Sequence, residues 1–381
     1  MKYQKVVPSL LPAFVLTCTV AFNCLAQATT PAPAPQSSPT TSGEPPDQIK
    51  IFVEEVRIPV FVTDEYGRFD PSLEAEDLLV LEDQLPQQVR SMRRIPSSVL
   101  LLLDTTEAMN PAMSTKTTRE VSTRLVGRLR DGDQVAAIQF GGKVELIQNW
   151  TTETPAVVQA LRAKLVAGQP SRLSEALTLA AAKLKETPAG SRHVVLITDG
   201  VAEAGERATL TEAIGQALTA NATLHVISYT SIGRKALKQS NPLVKVTGER
   251  RRNAQDVAED ILNPTGSSDT KQHRKVYVNI DTDLAMRRRR GEYEEALRRG
   301  EQWLTALAEE TGGLLALPQS VEELLKQGDA VAREIGTQYV VTYTPKRPLA
   351  AAQGEYRQLR VISRRAGLHA RSRRGYVATP P

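Results

Sequence analysis

The sequence predicts an α/β protein: a doubly wound, mostly parallel sheet held between β-strands from the two ends of the mature chain. Three observations carry this expectation. Val99 to Leu103 is an unbroken apolar run that stops at Asp104, and His193 to Thr198 repeats the pattern and stops at Asp199-Gly200. Such runs mark strands buried on both faces of a parallel sheet. Between them, apolar residues recur at helical spacing, as in Val121, Leu125, Val126 and Leu129. The flanks alternate with period two instead, as in Ile58, Val60 and Val62 ahead of the turn signal Asp64-Glu65-Tyr66-Gly67.

Taken in order, the 381 residues open on Lys2 and Lys5, an apolar stretch from Val6 to Val20, and the small-x-small site Ala26-Gln27-Ala28. This reads as a signal peptide over residues 1–28. Both cysteines, Cys18 and Cys24, lie in it. The mature chain is then expected to be free of thiols and disulfides, as suits an oxidising exterior. Residues 29–48 are rich in Pro, Ala, Ser and Thr and read as an extended linker. No later stretch is apolar and long enough to span a bilayer.

Residues 49–96 read as all-β. Ile49 to Thr63 is expected to be a hairpin or a pair of edge strands. Leu78 to Leu81 and Gln88 to Ile95 follow, joined by a turn at Glu82-Asp83-Gln84. The α/β region is expected over 97–336. After the strand ending at Asp104 and its helix, Val135 to Phe140 and Lys143 to Ile147, split by Gly141-Gly142, place an antiparallel edge strand on the sheet. Thr154-Pro155 is an N-cap with proline at the first helical position, and Ser171 to Lys185 is a further helix. Thr223 to Tyr229 is the next strand.

Residues 231–300 break this rhythm with basic runs at Arg250 to Arg252 and Arg287 to Arg290, and read as a long basic surface insertion. A helix ending at Thr311-Gly312-Gly313, a strand at Leu314 to Leu317 and a helix capped by Ser320 and Glu323 complete the region. Residues 337–379 return to β, with Gln338 to Thr344, Tyr356 to Ser363 and Leu368 to Val377. Neither β set has enough apolar surface alone, so the two are expected to form one sandwich.

Ligands of open α/β sheets bind outside the carboxyl ends of the strands. That rule brings together Asp104-Thr105-Thr106-Glu107-Ala108, Ser171-Arg172-Leu173 and Asp199-Gly200. Carboxylates and hydroxyls without histidine or thiol make a hard-oxygen set, suited to Mg2+ or Mn2+ and unsuited to zinc. The arrangement resembles a von Willebrand factor type A domain, with its metal-ion-dependent adhesion site of an Asp-x-Ser-x-Ser loop, a threonine and the aspartate of a Thr-Asp-Gly turn. Val60 to Asp64 with Gly67, then Glu82-Asp83, Gln88, Thr311-Gly312-Gly313, Gln338-Tyr339, Tyr343-Thr344-Pro345 and Arg374-Gly375-Tyr376 extend the likeness to the secreted family of such proteins represented among Acidobacteria. The resemblance implies that Asp104, Thr106, Ser171 and Asp199 are metal ligands and that Glu107 and Arg172 face a partner. Ala108 stands where the family has a second ligand serine, which weakens or abolishes the site; the alternative is that Asp104 and Asp199 only cap helices and bind loop amides, with no ion.

The resemblance further implies an exported protein-interaction or adhesion module, secreted, periplasmic or on the cell surface, that takes an acidic side chain of a protein ligand. No enzyme is expected: the chain has no Gly-x-Ser-x-Gly elbow, and His193, His225, His273 and His369 are scattered. The net charge of +5 is concentrated between Arg234 and Arg299 and again from Arg357 to Arg374. Export argues against nucleic acid as its target and favours an anionic cell-surface polymer. Metal-independent attachment through the basic insertion is therefore the second reading.

Overall fold

The computed structural model describes residues 54–106, 114–202, 205, 207–239, 284–349 and 354–378. The predicted leader and linker, Glu107, Ala108 and most of the predicted insertion lie outside them. The chain divides into Met1–Ile51 and Phe52–Pro381, and all that follows concerns the second unit.

Nine residues, Val56–Asp64, form β1. A single turn of 3-10 helix precedes β2 (Leu78–Glu82), β3 (Leu85–Gln87) and β4 (Val89–Arg93). Asp83 and Gln84 join β2 to β3 with φ of 47° and 67°, the left-handed pair that a two-residue hairpin needs to match strand twist. At the other end of the chain lie β11 (Tyr339–Tyr343), β12 (Tyr356–Ser363), β13 (Leu368–Ser372) and β14 (Gly375–Val377). The two sets interleave in two four-stranded sheets of order β13-β1-β11-β4 and β14-β12-β2-β3. Every strand of the first set pairs with one of the second or with a neighbour that does, so the ends of the chain build one sandwich.

Its core gathers Val56, Ile58, Val60 and Val62 with Leu78, Val80, Val341, Leu359 and Val361. The expected hairpin or pair of edge strands at Ile49 to Thr63 is instead one interior strand. β11 covers Val56 to Val60 and β13 covers Val60 to Asp64. Pro59 sits where the β13 edge is still open, which is where a missing N–H is tolerated.

Between these sets runs the α/β domain. Its elements are β5 (Ser98–Asp104), α1 (Thr115–Val126), β6 (Gln134–Gly141), β7 (Lys143–Thr151), α2 (Thr154–Lys164), α3 (Leu173–Lys185), β8 (Arg192–Thr198), α4 (Arg207–Thr219), β9 (Thr223–Ser228), α5 (Thr230–Gln239), α6 (Leu284–Thr311), β10 (Leu315–Ala316) and α7 (Val321–Thr337). The sheet order is β10-β9-β8-β5-β6-β7, parallel except for β7.

Alternate residues of β5 serve opposite faces. Leu100 and Leu102 pack with Leu177, Leu210 and Leu304 from α3, α4 and α6. Val99, Leu101 and Leu103 pack with Leu125, Val157 and Ile335 from α1, α2 and α7. This two-sided burial is why the strand reads as a continuous apolar run. Proline stands in the first turn of α2 as expected, but Glu153 occupies the N-cap, one residue before Thr154. Ser320 caps α7 by accepting from the Glu323 amide at 3.2 Å.

The expected insertion at 231–300 is corrected at both ends. Residues 230–239 are α5, and the Arg287 to Arg290 run belongs to α6, a helix of 28 residues that begins well before Arg298. Its Arg288–Glu292, Arg298–Glu294 and Arg299–Glu295 pairs at i,i+4 spacing support a helix whose N-terminal half has no apolar stripe to announce it. No helix among the described residues is long and apolar enough to cross a membrane.

Candidate cation site at the carboxyl edge of the central sheet

The site starts from the two strands that the sequence stops with aspartate. β5 and β8 are adjacent and parallel in the sheet, so Asp104 and Asp199 emerge at the same edge. Asp104 is 1% exposed and Asp199 3%. Asp104 Oδ1 accepts from the Thr106 amide at 2.9 Å, and Oδ2 accepts from the Thr198 hydroxyl at 2.6 Å. The Thr198 hydroxyl accepts in turn from the Gly200 amide at 3.0 Å, tying the two loops together. Asp199 Oδ1 accepts from the Val201 amide at 2.9 Å, and Oδ2 from the Tyr293 hydroxyl at 3.0 Å.

Ser171 is brought in by close backbone contact. Thr106 forms a parallel bridge with Gly168, whose amide donates to the Thr105 carbonyl at 3.1 Å. The Gly142 amide donates to the Pro170 carbonyl at 2.7 Å. A Cβ on Gly168 would stand 2.7 Å from the Gly141 carbonyl oxygen, and one on Gly141 would stand 2.7 Å from the Thr105 hydroxyl. Glycine is required at both places for the loop that carries Ser171 to lie along Thr105 and Thr106.

Two features of this cluster are unusual. The Thr106 and Ser171 hydroxyl oxygens are buried; that of Ser171 has no hydrogen-bond partner, and that of Thr106 has none beyond a loose approach to the Asp104 carboxylate. The other partnerless buried hydroxyls among the described residues, on Thr123, Thr223 and Thr344, belong to other parts of the fold. Burial, together with the neighbouring Asp199 carboxylate, pushes Asp104 up to about 7, against the hydrogen bonds from Thr198 and Thr106. Asp199 is also raised, chiefly by burial. Among the described residues, no cationic side chain offsets either carboxylate by a bond.

Of the six residues singled out from the sequence, Asp104, Thr106, Ser171 and Asp199 gather at this edge. Arg172 stands beside them but is engaged elsewhere: its Nε donates to the Gly142 carbonyl at 2.9 Å and its Nη1 pairs with Glu175 at 3.3 Å. Glu107 lies outside the described residues, as does Ala108.

Sequence reasoning missed Thr198, Tyr293 and Trp303. The Trp303 indole donates to the Gly200 carbonyl at 3.0 Å. Gly300 presses so closely on this turn that a Cβ would lie 2.8 Å from the Asp199 carbonyl oxygen. Both aromatic residues ride on α6: Tyr293 in its arginine-rich N-terminal half, where no helical period is legible, and Trp303 in the half expected to be helical. Thr198 had a signal, the hydroxyl residue directly before Asp199-Gly200.

Residues 98–259 match the family model of the von Willebrand factor type A domain. The chain carries a von Willebrand factor type A domain. The matched span begins with β5 and includes Asp104, Thr106, Ser171 and Asp199. No curated protein matches the sequence. Among solved structures, the A-domain fold is similar to a von Willebrand factor type A protein from Catenulispora acidiphila, at 11% identity and a TM-score of 0.42 over 81% of this chain and 75% of that one. It is similar to the conserved hypothetical protein BatB from Bacteroides thetaiotaomicron, at 16% identity and a TM-score of 0.36 over 63% of this chain and 97% of that one. The vWF domain of the type V pili tip protein Mfa5 from Porphyromonas gingivalis matches at 20% identity and a TM-score of 0.27 over 29% of this chain and 40% of that one.

Proposed function

We propose that this chain is an exported protein-interaction module whose A-type domain binds its partner through a divalent cation held by Asp104, Thr106, Ser171 and Asp199. The observation that carries this reading is the meeting of two buried hydroxyls that lack a well-formed partner with two buried carboxylates that no cation among the described residues offsets. Buried polar atoms ordinarily find partners, and buried like charges ordinarily neutralise. Mg2+ or Mn2+ resolves both problems at once, because each is a hard ion that takes oxygen ligands. When bound, the ion supplies a positive charge for an acidic side chain of a protein ligand.

The chain's own residues do the rest. Thr198 and the Thr106 amide orient Asp104, Tyr293 and the Val201 amide orient Asp199, and the glycine contact between Gly168 and Gly141 holds Ser171 in place. Ala108 leaves one ligand position without a hydroxyl, so the site is a degenerate adhesion site and its affinity is low. The predicted leader over residues 1–28 sets the compartment as periplasmic, secreted or surface-bound. The site offers a cation and an acceptor surface, without the nucleophile and base of a hydrolase.

Surface binding in cells expressing the chain with its leader tests this reading. Adhesion should fall on chelation with EDTA, return with Mg2+, and be absent in Asp104→Ala. Adhesion indifferent to EDTA and to Asp104→Ala would refute it.

One observation favours the second reading, attachment to an anionic cell-surface polymer. Arg287, Arg288 and Arg289 are exposed on one end of α6. Replacing Arg287 to Arg290 with glutamine would abolish binding under that reading and leave the EDTA response intact under the first.

A further inference from the structure

Away from the carboxylate site, α5 and α6 enclose a cleft of about 360 Å³. Its walls carry Arg234, Lys235 and Lys238 from α5, Glu294 and Arg298 from α6, and Gln319 from the turn before α7. The three cations of α5 stand at i, i+1 and i+4, which puts them along one side of the helix facing α6. Four positive charges therefore meet one carboxylate across a concave surface.

The internal pairs decide what remains. Arg234 is held by Glu301 at 2.7 Å, and Glu301 is itself fixed by the Thr230 hydroxyl at 3.0 Å. Arg298 pairs with Glu294 at 3.4 Å. Lys235 reaches only the neutral Gln319 carbonyl, at 3.4 Å, and Lys238 has no partner among the described residues. Two ammonium groups are left without a counter-charge at the mouth of the cleft. A low-dielectric wall bearing one sign of charge concentrates ions of the other. Lysine is a well-suited point charge for phosphate, and a preset guanidinium nearby adds directed donors.

We propose that the cleft between α5 and α6 is a binding site for a small dianionic phosphate, either the inorganic ion or a phosphate monoester. The two uncompensated lysines set the charge at about minus two. The volume falls in the range of small-molecule sites, roughly 300 to 1,000 Å³, and so has room for an organic group behind the phosphate. Arg234, fixed by Glu301, lies ready at one wall. This site shares no residue with the Asp104 cluster and stands whether or not that cluster takes a cation.

The test is a calorimetric titration of the purified protein at low ionic strength with EDTA present, using inorganic phosphate and glucose 6-phosphate, with sodium chloride at matched ionic strength as the control. Both lysines are exposed, so Lys235→Gln/Lys238→Gln should fold as the parent does, which circular dichroism verifies. Saturable binding of either phosphate is expected, weakened at least tenfold in the double variant. Tighter binding of glucose 6-phosphate would assign the site to a monoester, and tighter binding of phosphate to the inorganic ion. Absence of saturable binding by both, or an affinity within twofold of the parent in the double variant, would overturn the proposal.

Discussion

Two of the places where this molecule buries charge are treated in opposite ways. In the sandwich, Glu82 is 1% exposed and Arg357 is fully buried. One Glu82 oxygen accepts from Arg357 Nη1 at 2.8 Å, and the other accepts from the Tyr343 and Tyr376 hydroxyls at 2.6 and 3.0 Å. Arg357 also donates to the Arg347 and Pro348 carbonyls at 2.8 and 3.0 Å. Its Nε is the one atom of the cluster left without a hydrogen bond. At the sheet edge, Asp104 and Asp199 are buried as deeply but face each other, with only amides and hydroxyls for company. The first cluster is internally neutral and holds four strands of both chain ends in register. Among the described residues the second has no base to balance it, and burial raises both carboxyls.

The sharpest way to break the comparison is to unbalance the sandwich. Glu82→Ala leaves the buried Arg357 guanidinium with only Glu355, 3.8 Å from its Nε, as a counter-charge and should cost about 3 kcal/mol, read as a lower urea midpoint. Glu82→Leu/Arg357→Met should recover most of that loss, because replacing both partners with apolar groups is often close to neutral. A double variant as unstable as the single one would mean that the pair does more than neutralise itself.

A third buried cluster gives a smaller effect with a pH signature. His193 and His225 are fully buried, with His193 Nδ1 3.2 Å from His225 Nε2. His225 Nδ1 also lies 3.4 Å from Glu334, which in turn pairs with Arg371 of β13. Burial, with Arg130 nearby, depresses His193 to about 3, and burial depresses His225 as well. Burial raises Glu334 while Arg371 opposes it. For His193 the sign is that of a depressed base: its contribution is full above the unfolded value of 6.5 and is lost as pH falls toward about 3. Each unit corresponds to about 1.4 kcal/mol, so several kcal/mol of acid sensitivity are expected. His193→Gln should flatten the dependence of the urea midpoint between pH 6.5 and 4; an unchanged slope would show that the ring is not the titrating group.

Smaller again is Tyr293→Phe, which removes the hydroxyl donor from Asp199. A loss of about 1 kcal/mol is expected without divalent cation. The thermal shift produced by Mg2+ should shrink, since Asp199 then loses the bond that orients it. An equal or larger Mg2+ shift would count against Tyr293 as a support of the site. At the foot of the scale, Arg172→Ala should change stability by no more than about 0.5 kcal/mol, because its pair with Glu175 is exposed.

What the sequence disclosed and what it hid follow the same division. The central strands were readable because burial on both faces leaves no polar interruption from Val99 to Leu103 or from Val194 to Ile197. That Asp104, Thr106, Ser171 and Asp199 meet at one edge was readable because the carboxyl ends of neighbouring parallel strands converge with the loops that follow them. The sandwich could be inferred only from the shortage of apolar surface in each β set, and its Glu82–Arg357 centre not at all, since 275 residues separate the partners. α4 and α5 were missed because their apolar content is modest and, in α5, mixed with lysine and arginine. The N-terminal half of α6 is held by surface ion pairs and by Tyr293 and Trp303, and neither leaves a periodic apolar mark.

Whether a divalent cation fills the deficit at Asp104 and Asp199 is decided by calorimetric titration of Mg2+ and Mn2+ into the purified protein, Asp104→Ala and Ala108→Ser. Weak binding is expected in the parent, none in Asp104→Ala, and binding at least tenfold tighter in Ala108→Ser, which supplies a hydroxyl at the position of the second ligand serine. No binding in the parent, or binding that survives Asp104→Ala, would rule the cation out.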